Sequence, residues 1–293
     1  MRRGDVTGTG AGSTLTGMAV QRLEVTGRWC LDQLDGLGKF GRFTFWSVKW
    51  LIRGVGHWGR WRLLMPQLYS IGTLSVPVIV LIGTFIGMVL SVEAYQQFAA
   101  IGQAHRLGGI IGVSVVKQIG PVLAAVMIAG RVGGSVSAEL GTMRVSEQLD
   151  AMRVMGTDPI SYLVVPRVLA CIIMLPVLTV ISDLVGIYGA YVVTVQGFGV
   201  NSESYWSFSR YFVGAWEVFS GLGKSVCFGL AIGLISCYKG FYCRQGAAGV
   251  GRAATDSFVT SFVTIIVINF FLAKFLKDLY LLIWPGVQAS AFT

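Results

Sequence analysis

The stretch "LLMPQLYSIGTLSVPVIVLIGTFIGMVLSV", residues 63–92, contains no charged side chain. A helix needs about 20 mostly apolar residues to cross a hydrocarbon core of about 30 Å, so this run is long enough to span a membrane. The rest of the chain agrees, because 54% of its residues are hydrophobic, 13% are charged and its mean hydropathy is +0.69. This composition indicates a membrane protein and argues against a water-soluble one.

Four more apolar runs follow the first, and only isolated polar groups interrupt them. They cover roughly residues 107–139, 167–195, 214–238 and 256–283. Each run is long enough to cross the bilayer as a helix, in which the backbone satisfies its own hydrogen bonds. The sequence therefore predicts an all-α membrane protein with five transmembrane helices.

Basic residues are concentrated before the first run. Residues 1–62 hold ten Lys and Arg against four acidic residues, which gives +6 of the total net charge of +9. Because Lys and Arg near span ends mark the cytoplasmic side, we expect the N-terminus in the cytoplasm. The same distribution argues against nucleic acid as a partner, since little positive charge is left for the rest of the chain.

The N-terminal part divides into two segments of different composition. Residues 1–38 are rich in Gly, Thr and Ser with scattered charges, and we expect a disordered cytoplasmic tail. In residues 39–62, Trp and Phe alternate with Arg and Lys, which predicts an amphipathic helix lying at the membrane interface. An ordinary cytoplasmic extension of the first span is the alternative. Residues 63–285 then form the transmembrane domain.

The segment between the second and third runs, "AELGTMRVSEQLDAMRVMGTDP" (138–159), holds four of the fourteen acidic residues. Ser146 is predicted to cap the N-terminus of a short amphipathic helix, with acidic residues in its first turn, and Gly156 to end it. Asp158 and Pro159 are predicted to begin the next helix. A short capped helix at this place indicates a docking element for a partner protein, and a solvated connector is the alternative.

Small residues repeat every four positions along the second run, in two neighbouring stripes. The first stripe is Gly130, Gly134 and Ala138, and the second is Gly133, Ser137 and Gly141. Stripes of this kind let another helix approach closely, either within the chain or from a second copy.

Ionisable residues also lie within the apolar runs. Arg131 and Glu139 fall on one helical face with Ser135, and Asp183 in the third run is a candidate partner for Arg131. Charged groups inside a bilayer usually face protein or a water-filled cavity. A buried ionic tie between helices and a direct role in transport are both compatible with this pattern.

No pattern in the sequence predicts a metal, a cofactor or a catalytic site. The five cysteines include no C-x-x-C pair, and no nucleophile, base and orienting group converge in the sequence. We therefore expect a protein that is not an enzyme.

Two blocks of the chain carry a resemblance to a known family. They are "KQIGPVLAAVMIAGRVGGSVSAELGTMRVSEQLDAMRVMGTDPISYLVVPRVLA" (117–170) and "GKSVCFGLAIGLISCYKGFYCRQGAAGVGRAATDSFVTS" (223–261). Both resemble the MlaE-type permeases, the membrane subunits of Mla/Mce lipid-transporting ABC systems. The resemblance covers about residues 63–280 and leaves the N-terminal tail outside it.

The resemblance implies a homodimeric permease in the bacterial inner membrane, with an interfacial helix and five spans in each subunit. It implies two partners, namely cytoplasmic ABC ATPase subunits that hydrolyse ATP and a periplasmic hexamer of Mce-domain proteins. The implied cargo is a lipid, and phospholipids are the commonest cargo of the family.

The resemblance also implies roles for particular residues. The short helix between spans 2 and 3 would be a coupling helix seated in a groove of the ATPase, through Glu147, Gln148, Asp150, Ala151 and Arg153. The lipid cavity would be walled by the first and last spans, and the expected wall positions are Leu81, Phe85, Met88, Val92, Ile265 and Asn269.

The chain departs from the family pattern at Gln118 and Asn269, where the family often has acidic residues. Both departures remove charge from the spans. Two other functional classes stay open beside the lipid permease. One is a secondary transporter that couples ions through Arg131, Glu139 and Asp183, and the other is a membrane scaffold for an ATPase.

Overall fold

The computed structural model describes residues 34–36, 38–52 and 61–283. Residues 38–52 form helix α1, in which the Lys49 Nζ atom lies 4.5 Å from the centre of the Trp46 ring. The predicted tail and the second half of the predicted interfacial helix lie mostly outside the described residues.

Five helical spans follow α1, as the sequence predicts. They are Arg62–Ala100, Ala104–Val145, Ile160–Gly197, Ala215–Phe241 and Ala247–Ile283. Each is longer than the apolar run that predicts it, because each helical span continues beyond its run at one end or at both. At 1.5 Å per residue, the 37 residues of the last span extend about 55 Å and reach beyond the hydrocarbon core.

The spans contain the following helices. Span 1 consists of α2 (Trp61–Ile71) and α3 (Val76–Ala100), and span 2 of α4 (Leu107–Ser114), α5 (Gly120–Ile128) and α6 (Gly134–Val145). A short helix α7 (Gln148–Val154) leads to α8 (Val165–Tyr191) in span 3. After α9 (Ser202–Phe212), spans 4 and 5 are the single helices α10 (Ala215–Phe241) and α11 (Ala247–Ile283).

Span 2 is interrupted by two turns of π-helix, at Val115–Ile119 and Ala129–Gly133. Lys117 and Gln118 lie in the first π-turn and Arg131 lies in the second. Each π-turn adds a residue to the helical repeat and rotates the residues after it, and such turns are frequent at functional sites.

Glycines allow α3 and α8 to pack with their backbones in close contact. A Cβ atom on Gly87 would overlap the carbonyl oxygen of Gly186, and one on Gly83 would lie 3.1 Å from the carbonyl oxygen of Ser182. Further along the same interface, the hydroxyls of Ser91 and Thr194 form a buried hydrogen bond of 2.6 Å. This is the small-residue packing typical of membrane helices.

The second small-residue stripe of span 2 packs closely against other helices of the chain, whereas the first, with Gly130 exposed, lies in ordinary contact with α11. Ser137 donates a hydrogen bond to the carbonyl oxygen of Ala253 at 3.1 Å, and Ser257 donates to that of Gly133 at 3.3 Å. Phe258 lies 3.5 Å from where a Cβ on Gly130 would be. The stripes therefore join span 2 to α11 within one subunit.

The loops lie on two opposite faces of the bundle. The basic face contains residues 142–160 and 239–252, and the aromatic face contains residues 95–106 and 198–216. On the aromatic face, the rings of Tyr95 and Phe198 stack at 3.9 Å. The buried Tyr205 of α9 donates its hydroxyl to the carbonyl oxygen of Ile187 at 3.0 Å, and burial raises the pKa of this phenol.

Candidate functional site

Helix α7 joins spans 2 and 3 on the basic face, and buried and strained residues fix its position. Leu149 is fully buried and anchors the helix to the bundle. Glu147 before it and Gly156 after it have φ angles of 60° and 75°, in the left-handed region. The chain thus turns sharply on both sides of α7, so that α7 is a separate helix and not a continuation of α6 or α8.

The predicted N-cap of α7 is wrong, whereas its predicted end is confirmed. Ser146 ends α6, because its hydroxyl donates backwards to the carbonyl oxygen of Thr142 at 2.8 Å. A serine bonded to the preceding turn cannot cap the following one. Gly156 does end α7, and Asp158 caps the next helix by accepting a hydrogen bond of 3.0 Å from the Ile160 amide.

Two of the five expected coupling residues bind within the chain. The Asp150 carboxylate forms salt bridges of 2.7 Å with Arg144 of α6 and with Arg153 of α7. The Arg153 guanidinium also lies 5.5 Å above the ring of Phe241 at the end of α10. Asp150 and Arg153 thus brace α7 against spans 2 and 4. Glu147, Gln148, Ala151 and Arg153 are exposed, whereas Asp150 is half-buried.

The apolar tip of this element was not predicted from the sequence. Val154 and Met155 are 89% and 73% exposed at the C-terminal end of α7. Exposed apolar side chains next to polar ones are typical of a protein-binding surface. The signal available in the sequence was the pair of apolar residues directly before Gly156.

The predicted contact between Arg131 and Asp183 is not formed. Arg131 donates a hydrogen bond of 2.6 Å to the hydroxyl of Ser75, before α3. Asp183 packs beside Gly120, and its buried Oδ1 has no hydrogen-bond partner. Gly120 and Arg131 are eleven residues apart, which is about 16 Å along a helix, so the two charges lie at different depths.

Glu139 has a different partner from the other two ionisable residues. Its carboxylate forms a salt bridge of 2.7 Å with Arg167, whose side chain is only 3% exposed. Arg131 thus contacts Ser75, Glu139 contacts Arg167, and Asp183 packs beside Gly120. The three residues that an ion-coupled transporter would use therefore form no single cluster.

A buried lysine in span 4 is a polar contact that the sequence analysis did not predict. Lys224 is 2% exposed and donates to the Gln118 side-chain oxygen at 2.6 Å and to the Lys117 carbonyl oxygen at 3.0 Å. Gln118 is one of the two departures from the family pattern. It satisfies the ammonium group of Lys224 as a neutral acceptor, so this contact carries no negative charge.

The expected wall residues fall into two groups. Leu81, Phe85 and Val92 of α3 are 59%, 60% and 41% exposed, and Met88 is half-buried. Ile265 is fully buried and is not on the surface of α11, because it continues the packed stripe of Ser257 and Ser261. Asn269 is half-buried one turn further on, and its Oδ1 has no hydrogen-bond partner.

Comparison with known proteins identifies the family. The sequence model of the family described as Permease MlaE matches residues 64–275. The chain belongs to this family. The matched range of the MlaE-family permease begins in α2 and includes α3 to α10 and most of α11, and therefore every residue of spans 1 to 5 discussed above.

Named relatives of this MlaE-family permease come from bacteria and from a plant. A probable ABC transporter permease protein of Rickettsia felis is 39% identical over 248 residues, which cover 85% of this chain and 95% of the relative. The intermembrane phospholipid transport system permease protein MlaE of Haemophilus influenzae is 30% identical, over 87% of this chain and 97% of its own. Protein TRIGALACTOSYLDIACYLGLYCEROL 1, chloroplastic, of Arabidopsis thaliana is 35% identical over 225 residues, which cover 77% of this chain and 63% of the relative.

Proposed function

We propose that this MlaE-family permease moves phospholipids between the inner membrane and a periplasmic Mce-domain carrier, driven by a separate ABC ATPase. The exposed surface of α7 is the observation that carries the proposal. It presents Glu147, Gln148, Val154 and Met155 on a helix that the rest of the chain holds in place. The phospholipid cargo is proposed from the name of the Haemophilus influenzae relative.

The distribution of charge supports a cytoplasmic position for α7. Segments 140–167 and 239–252 each contain three Lys or Arg residues, whereas the loops of the aromatic face contain only Arg106 and Arg210. By the positive-inside rule, the basic face is cytoplasmic. An ATPase bound to α7 would then be in the compartment that contains ATP, and the Mce-domain hexamer would contact the aromatic face.

The contacts of α7 provide a route for mechanical coupling. A force on the exposed tip acts on a helix whose Asp150 is bonded to Arg144 of α6. Through Arg153 and Phe241, the same helix is in contact with α10. Movement of the ATPase would therefore shift spans 2 and 4 together, in the manner of helix shifts at the interfaces of other switching proteins.

The surface of span 2 supports a homodimer. Arg131, Ser135 and Glu139 are exposed along one face of the span in the single subunit. Charged groups in the membrane face protein or water rather than lipid tails. By contrast, the exposed stripe of α8, which includes Val177, Leu184 and Tyr188, carries no charge and suits the lipid. We therefore propose that a second copy covers the charged face of span 2 and encloses the lipid cavity.

A charge reversal at the N-terminal end of α7 tests the proposed coupling. Glu147→Lys should reduce co-purification of the cognate ATPase about tenfold or more, as expected for a contact residue of an interface, and should abolish lipid-stimulated ATP hydrolysis in proteoliposomes. Membrane insertion should remain normal, because Glu147 is exposed and has no ion pair among the described residues.

The matched control is Glu203→Lys, the same charge reversal at an exposed residue on the aromatic face. It should retain ATPase binding at the wild-type level. Equal ATPase recovery and transport in Glu147→Lys, Glu203→Lys and the wild type would refute α7 as the coupling element.

A further inference from the structure

A second polar site lies on the basic face, outside the proposed cavity. A pocket of about 500 Å³ opens between the end of α10 and the start of α11. Three cations line it, namely Lys239, Arg244 and Arg252, together with a single acidic residue, Asp256. The side chains of Tyr238 and Tyr242 complete the pocket wall, and their ring centres lie 5.0 Å apart.

Among the described residues, the three cations of the pocket form no salt bridge. Among residues 34–36, 38–52 and 61–283, salt bridges join Lys39 to Asp35, Asp150 to Arg144 and Arg153, and Arg167 to Glu139. Lys239, Arg244 and Arg252 form none of these pairs. The formal charges of the four groups that line the pocket sum to +2. The pocket therefore holds an uncompensated positive potential that favours an anion.

The depth of the pocket indicates which anion would occupy it. The pocket lies between the end of one apolar run near residue 238 and the start of the next near residue 256, on the face proposed to be cytoplasmic, so we infer that it is at the level of lipid headgroups. Tyrosine is enriched at that level. Basic pockets between transmembrane helices on the cytoplasmic side are a known means of binding anionic headgroups. A cavity of about 500 Å³ is far larger than one phosphate group requires and leaves space for the rest of a headgroup.

We propose that this pocket binds the phosphate-bearing headgroup of an anionic membrane lipid. Arg244 and Arg252 contact the phosphate with their guanidinium groups, which suit bidentate binding of its oxygens, and Lys239 adds charge. The site goes beyond the proposed transport function. It lies at the ends of α10 and α11, whereas the proposed cargo cavity is walled by the exposed residues of α3.

The wall of the pocket contacts the elements around α7. The Cys243 thiol donates to the carbonyl oxygen of Gly141 in α6 at 3.5 Å, and burial raises the pKa of this thiol, so it stays protonated as a donor at neutral pH. Phe241, two residues before it, lies under Arg153 of α7. A bound headgroup would therefore order the loop on which α6 and α7 rest.

The experiment measures binding of fluorescent phosphatidylglycerol and phosphatidylcholine to the purified full-length protein in detergent. We expect the double variant Arg244→Gln/Arg252→Gln to lose about tenfold or more in affinity for phosphatidylglycerol, since each basic residue near a membrane surface contributes to anionic lipid binding. Its affinity for phosphatidylcholine should change little. The charge-conserving variant Arg244→Lys/Arg252→Lys should keep at least part of the affinity, which shows that the fold is intact.

The matched control is Arg106→Gln/Arg210→Gln, which removes two exposed arginines from the aromatic face. It should bind phosphatidylglycerol like the wild type. An equal loss in both Gln double variants would mean non-specific attraction and would overturn the proposal. Unchanged phosphatidylglycerol binding in Arg244→Gln/Arg252→Gln would also overturn the proposal, including the case in which this variant loses ATPase co-purification. Displacement of the lipid by inorganic phosphate at millimolar concentration would overturn it as well.

Discussion

At the scale of single residues, the pair of Arg167 and Glu139 shows how an ion pair is held at the edge of the bundle. The Arg167 side chain is 3% exposed, whereas that of Glu139 is 48% exposed. Arg167 also donates to the Leu163 carbonyl oxygen at 3.3 Å, and its Nε has no hydrogen-bond partner. Glu139 thus provides most of the compensation for a buried cation.

The neutral variant Glu139→Gln should therefore destabilise the protein. Removing one partner of a fully buried pair costs 3–5 kcal/mol, and with Glu139 half-exposed we expect about 1–3 kcal/mol. Thermal unfolding in detergent should then show a Tm about 2–10 °C lower than that of the wild type. The double variant Glu139→Gln/Arg167→Met should regain much of the loss, because no buried charge remains, whereas Glu203→Gln should leave Tm unchanged. A wild-type Tm for Glu139→Gln would show that Arg167 does not depend on Glu139.

The partners of the charged residues were the part of the site that sequence could not supply. Arg131, Glu139 and Asp183 are recognisable as charges in apolar runs. Which of them meet depends on the depth and rotation of each helix. The π-turns at Val115–Ile119 and Ala129–Gly133 change the rotation of span 2 twice. Asp183 was a candidate partner for Arg131 only as an isolated acid in the third run, and the contact is not formed because the two residues lie at different depths.

At the scale of elements, the contact between α3 and α8 depends on glycine. The carbonyl oxygen of Gly186 occupies the space that a Cβ on Gly87 would take. Because the obstacle is backbone, no change of rotamer can relieve the overlap, and the helices would have to separate. Gly87 falls in the charge-free run 63–92, where Gly83, Gly87 and Ser91 repeat every four residues. From the sequence, close packing was predicted for span 2 and not for this stripe of span 1.

Substitution of Gly87 by alanine should weaken this contact measurably. Overpacking of a close interface costs about 1–3 kcal/mol, so the Tm of Gly87→Ala should fall by several degrees. The control is Gly223→Ala in α10, where no neighbouring atom lies within 4 Å of the added Cβ. There alanine favours the helix by about 1 kcal/mol, so Tm should stay constant or rise. Equal Tm values for Gly87→Ala and the wild type would show that α3 and α8 can separate at little cost.

At the scale of the whole molecule, the five spans were predictable and the surfaces were not. A span is defined by about 20 apolar residues in one stretch, which is local information. The distinction between a face toward lipid and a face toward a second subunit is not local, because both accept apolar side chains. Ile265 illustrates this, since it reads like its exposed neighbour Ile266 but packs inside the bundle.

The proposed homodimer makes a prediction about two exposed positions. Ser135 lies on the charged face of span 2, and Leu184 lies on the apolar face of α8 and is 64% exposed. In a background with the five native cysteines replaced by alanine, Ser135→Cys should be cross-linked to a dimer in membranes by a flexible bismaleimide. Leu184→Cys should remain monomeric, because its face is in contact with lipid.

The two positions separate a specific interface from random collision. Both cysteines would lie in spans of the same protein at the same density in the membrane, so random encounters would cross-link them to similar extents. A dimer confined to Ser135→Cys therefore requires that the charged face of span 2 meet a second copy. Cross-linking at Leu184→Cys alone would place the interface on α8. It would also leave Arg131 and Glu139 exposed to the membrane, where their charges are costly.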